Sequence, residues 1–85
     1  MIKPAHYSHH AETVLTERRL EKSWIEQTIN DPEWVEPDPS GEGAERRYRS
    51  LPDREDRYLR VICVETATEI RIISAFLDRG ARRPT

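Results

Sequence analysis

The densest apolar segments of this chain are two consecutive runs, Tyr58-Leu59-Arg60-Val61-Ile62-Cys63-Val64 and Glu69-Ile70-Arg71-Ile72-Ile73-Ser74-Ala75-Phe76-Leu77, parted only by Glu65-Thr66-Ala67-Thr68. Such runs, rich in β-branched residues, are strands, and so short a break leaves no room for a crossover helix, so they form an antiparallel pair at the centre of a sheet. Period two sets Leu59, Val61 and Cys63 on one face and Arg60, Ile62 and Val64 on the other. The same period groups Ile70, Ile72, Ser74 and Phe76 against Arg71, Ile73, Ala75 and Leu77. Both faces are apolar with one arginine per strand, which suits a sheet with helices on one side and a partly open surface on the other.

At 85 residues the chain is one domain with a modest core. Cys63 is the only cysteine, so no internal disulfide forms, and its place in an apolar strand makes it a buried, inert thiol. No signal peptide is expected, and no run approaches the roughly 20 apolar residues of a membrane span, so a cytoplasmic protein is expected. The net charge of −2 hides an asymmetry: residues 1–44 carry four bases against nine acids, and residues 45–85 carry ten arginines, no lysine and seven acids. Guanidinium grips phosphate bidentately and stacks on bases, so the second half suits a polyanion. Solvated strand faces in an arginine-rich chain account for the same composition equally well.

Ser8 is a good N-cap, and Ala11, Val14, Leu15 and Arg18 follow at helical spacing, which predicts a first helix over 8–19 with His9 and His10 in its first turn. A second helix over 22–30 ends at Asn30-Asp31-Pro32. Trp34 to Asp38 reads as an edge strand, 39–43 as a flexible loop, and Ala44 to Leu51 as a strand alternating polar and aromatic residues. Residues 1–7 and 80–85 are expected to be flexible ends. The expected architecture is α+β, with two N-terminal helices packed on a three- to four-stranded antiparallel sheet. The histidine and cysteine positions have no zinc spacing, no glycine run cradles a phosphate, and no carboxylate pair sits in an apolar setting, so neither a metal nor a cofactor is expected.

Ser8-His9-His10-Ala11, Glu17-Arg18-Arg19-Leu20, Asn30-Asp31-Pro32 and Leu59-Arg60-Val61-Ile62 resemble segments of a small, largely uncharacterised bacterial domain family grouped with BrnT and the RelE/ParE-like toxins. Ile70-Arg71-Ile72-Ile73-Ser74-Ala75 looks like the closing motif of BrnT toxins, and Glu45-Arg46 like the pair on the strand after their loop. The resemblance implies a RelE/BrnT-like fold and an mRNA endonuclease paired with an antitoxin that masks its basic sheet. BrnT proteins place an arginine where this chain has Phe76, and Arg79, three residues on, is the candidate to replace it.

Metal-free RNA cleavage needs a base for the ribose 2′-OH, an acid for the leaving oxygen, and cations at the phosphate. His10 and Tyr48 are the candidates for proton transfer, Arg60, Arg71 and Arg79 for catalytic cations, and Arg46, Arg47 and Arg49 for RNA binding. Against these stand a surface histidine in a capping turn, and pairing of Arg60 or Arg71 with Glu65 or Glu69 across the hairpin. Two other functions fit the same sheet: a non-catalytic RNA- or protein-binding module, and a subunit, a homodimer among the options, whose exposed edge pairs with another chain.

Overall fold

The computed structural model describes residues 3–41 and 43–84. Two helices cover one face of a five-stranded mixed sheet in the order β1-β5-β4-β3-β2. The strands are β1 (Ala5–Tyr7), β2 (Trp34–Pro37), β3 (Ala44–Leu51), β4 (Arg57–Glu65) and β5 (Ile70–Asp78). The helices are α1 (His9–Arg18) and α2 (Lys22–Asn30).

Local chemistry explains both helices. The Ser8 side chain accepts the Ala11 amide at 3.0 Å and caps α1. Arg19 closes it in the left-handed region at φ 55°, with the Leu20 amide bonded back to the Leu15 carbonyl at 2.9 Å. α2 stops at Asp31, before Pro32, and its buried Thr28 satisfies its hydroxyl on the Trp24 carbonyl at 2.8 Å. α1 lies on β5 and β1, and α2 on β3 and β4. Ala11, Leu15, Leu20, Ile25 and Ile29 meet Leu51, Leu59, Val61, Cys63, Ile70, Ile72 and Ala75 in one core. Each large member contributes on the order of 1.5–3 kcal/mol by leaving water.

Two features correct the sequence expectation. The sheet is mixed, because Ala5–Tyr7 forms a strand ahead of the helices and pairs in parallel with β5, Ala5 opposite Ile70 and Tyr7 opposite Ile72. The helices therefore follow a strand rather than open the fold. The second correction is within β5. Ile62 pairs with Ser74 but Cys63 pairs with Ile72, so Ile73 is an extra residue in the ladder. A bulge of this kind reverses the alternation beyond it. Ile72 and Ala75 are both 1 % exposed on the helix side while Ile73 is 37 % exposed, and Ser74 and Phe76 move to the open face. No described helix is long and apolar enough to cross a membrane.

Candidate nucleic-acid interface

The open face carries Trp34 from β2, Arg46, Tyr48 and Ser50 from β3, Tyr58 and Arg60 from β4, and Phe76 and Asp78 from β5. Trp34 lies directly across from Tyr48 and stacks on it, centroids 4.5 Å apart and planes 10° from parallel. Tyr58 meets the Trp34 ring edge-on at 5.0 Å. The Tyr48 hydroxyl and the Trp34 indole N–H both donate to Glu36, each at 3.3 Å. Tyr48 is thus a packed residue, 3 % exposed. His10 lies exposed in the first turn of α1, in the helical layer, so the sheet stands between the two residues assigned proton transfer.

The β3 arginines divide between the faces and are held by the protein itself. Arg46 on the open face pairs with Asp38 at 2.7 Å. Hydrogen bonding from Ser40, and then from Arg46, holds the Asp38 carboxyl down at about 2. Arg47 turns toward the helices, donates to the Ile29 carbonyl near the end of α2 at 2.8 Å, and bridges Glu45 at 3.0 Å and Glu65 at 2.8 Å. Lys3 first, and Arg47 second, hold Glu65 down at about 2. Arg49 donates to the Asp31 carbonyl at 2.7 Å. Arg47 and Arg49 therefore satisfy carbonyls that the end of a helix leaves open, where positive charge also complements the helix dipole.

The hairpin arginines differ. Arg60 is directly opposite Phe76, its guanidinium 4.1 Å from the ring centroid and 3.4 Å from Asp78. Among the described residues its buried Nε has no hydrogen-bond partner. Arg71 pairs with Glu69 at 2.9 Å and keeps 63 % of its side chain exposed. His6 on β1 is in register with Arg71, which puts a histidine absent from the sequence reading on the open face.

A cleft lies elsewhere, where the end of α1 meets the start of β4 and the end of β5. It has a volume of about 530 Å³ and is lined by Arg18, Leu20, Arg57, Phe76, Leu77 and Arg79. Among the described residues this lining includes three arginines and no carboxylate. β1 covers only Ile70 to Ile72 of the outer edge of β5, and Arg18 reaches round that edge to donate to the Ala75 carbonyl at 2.8 Å. Its guanidinium stands 5.6 Å from the Phe76 centroid. Among the described residues Arg57 has only a 3.9 Å contact with the 85 % exposed Glu55, which neutralises it weakly. Of the sequence-predicted residues, Arg79 is in this cleft. Arg18 and Arg57 were missed, because α1 and β4 are brought together only by the packing of helix on sheet. Burial pushes the Cys63 thiol up to about 11, so it stays protonated away from the cleft. Among the described residues, no group of three His, Cys, Asp or Glu side chains is placed to hold a metal.

The family model described as Domain of unknown function (DUF4258) matches residues 7–77. The chain belongs to that family. No curated protein and no solved structure matched it. Within the DUF4258 span lie α1, all of the hairpin but its last residue Asp78, and the cleft residues Arg18, Arg57 and Phe76; Arg79 lies just beyond it. None of these matches carries the likeness to BrnT and RelE/ParE toxins.

Proposed function

We propose that this DUF4258 protein is an RNA-directed binding module, on a scaffold akin to that of the RelE/BrnT-like toxins, and that RNA phosphates bind in the cleft of Arg18, Arg57 and Arg79. The observation that carries this reading is a cleft whose described lining holds three arginines and the Phe76 ring and no carboxylate. Guanidinium groups engage phosphate as planar forks, and a groove combining cations with an aromatic face suits single-stranded nucleic acid. A toxin-type mRNA endonuclease, with an antitoxin covering the basic surface, would use the same cleft but needs proton-transfer groups beside it. His10 and Tyr48 are on different layers, and the Tyr48 hydroxyl is engaged by Glu36, so binding is the better-supported reading.

The test is fluorescence anisotropy with a labelled single-stranded RNA at several salt concentrations, alongside induced expression with growth and total RNA followed. Binding is expected to weaken with salt, with a log–log slope of about −0.7 per phosphate contact, while growth and RNA remain intact. Absence of binding at low salt would sink the proposal. Growth arrest with RNA fragmentation would replace it by the endonuclease reading.

A further inference from the structure

Resting on the RNA-binding reading, we infer that Phe76 is a base-stacking residue, and that the cleft selects single-stranded nucleic acid over other polyanions. Phosphate affinity alone would require only the arginines. Phe76 adds an aromatic ring that lines the cleft and is partly exposed. The bulge at Ile73 puts it there, since without that extra residue the ring would point into the core beneath α1.

The two guanidiniums near the ring are not equivalent. Arg60 is close, at 4.1 Å, and is fixed by its ion pair with Asp78. Arg18 stands farther off, at 5.6 Å, is held by its 2.8 Å hydrogen bond to the Ala75 carbonyl, and belongs to the cleft. Three flat groups stacked at ordinary carbon contact distance span roughly 7 Å from first to last. An outward movement of Arg18 that exchanges its hydrogen bond to the Ala75 carbonyl for contact with the ligand would therefore admit a base between its guanidinium and Phe76, with cation–π attraction on the far side of the base. Arg57 and Arg79 are left for the flanking phosphates. A paired base in a duplex has its faces covered by its neighbours, so the site requires an unpaired strand.

The experiment compares wild type with Phe76→Leu, Phe76→Tyr and Arg79→Ala, using single-stranded RNA that carries 2-aminopurine, and inorganic polyphosphate of matched charge. Circular dichroism and thermal melts confirm that each variant is folded. Phe76→Leu is expected to weaken RNA binding about 5- to 150-fold, to abolish the 2-aminopurine quench, and to leave polyphosphate binding within about twofold. Phe76→Tyr keeps the ring and should keep the quench, which also covers the case in which Phe76→Leu fails to fold. Arg79→Ala should weaken both ligands. Equal losses on RNA and polyphosphate in Phe76→Leu, or a quench that disappears in Phe76→Tyr, would overturn the stacking role while RNA binding itself stands. Failure of the wild type to bind RNA would overturn both.

Discussion

Arginine occurs here in two populations that differ in nothing but surroundings. Arg46, Arg47 and Arg49 on β3 are fastened to Asp38, to Glu45 and Glu65, and to Asp31, with Arg47 only 8 % exposed. Arg18, Arg57 and Arg79 surround a cleft whose lining includes no acid. The first group holds the end of α2 and the β2–β3 loop against the sheet, and the second is the group that we propose offers its charge to a ligand. A guanidinium becomes structural when the chain provides carboxylates and helix-end carbonyls within reach, and becomes a binding group when it does not.

The sharpest way to break this comparison is to remove one arginine from each group. Arg47→Ala strips the Ile29 carbonyl of its donor and leaves Glu45 and Glu65 facing each other. A loss of about 2 kcal/mol in urea unfolding is expected, below the 3–5 kcal/mol of a fully buried pair because both carboxylates are about 40 % exposed. RNA affinity of the folded fraction should change less than about twofold. The double variant Arg57→Ala/Arg79→Ala should do the reverse: affinity falls at least about tenfold and the salt slope shrinks by about 1.4, with stability within about 0.5 kcal/mol of wild type. If both variants lose stability and keep binding, the division is wrong.

A smaller effect is expected at Tyr48→Phe, which keeps the stack on Trp34 and removes the hydrogen bond to Glu36. About 1 kcal/mol of stability should be lost, with RNA left uncut by wild type and variant alike. RNA cleavage by wild type that this change abolished would restore Tyr48 to a catalytic role. The mildest probe is acid. Asp38 and Glu65 are both held at about 2 in the folded chain, against 3.8 and 4.5 for the free groups. The unfolded chain therefore takes up protons first, and the stability these pairs contribute is present above about pH 4.5 and lost as pH falls toward 2. Asp38→Asn should flatten that decline in a series of thermal melts; an unchanged decline would show that the loop pair contributes nothing.

Much of the fold was legible because its signals are local. The Ser8 cap, the Asp31-Pro32 stop, the loop before Ala44 and the hairpin of β4 and β5 depend on residues a few positions apart. β1 was not legible: Ala5, His6 and Tyr7 carry no strand signal of their own and become a strand only by pairing with residues some 65 positions away. The site was less legible than the fold. Arg79 was singled out, and Arg60 was suspected on the open face, but the carboxylate on Arg60 is Asp78 from the end of β5 rather than Glu65 or Glu69 beside the turn. Arg71 does pair with Glu69, but two residues back along the chain rather than across the hairpin.

By itself the sequence determined the two helices, the antiparallel core hairpin, the buried thiol and an arginine-rich second half, since caps, period and composition act over a turn or two of chain. Tertiary structure decided which arginines are held closely by carboxylates and helix ends. That outcome depends on which carboxylates and helix ends arrive beside each guanidinium. It also depends on one extra residue at Ile73, which turns Phe76 out of the core and into the cleft.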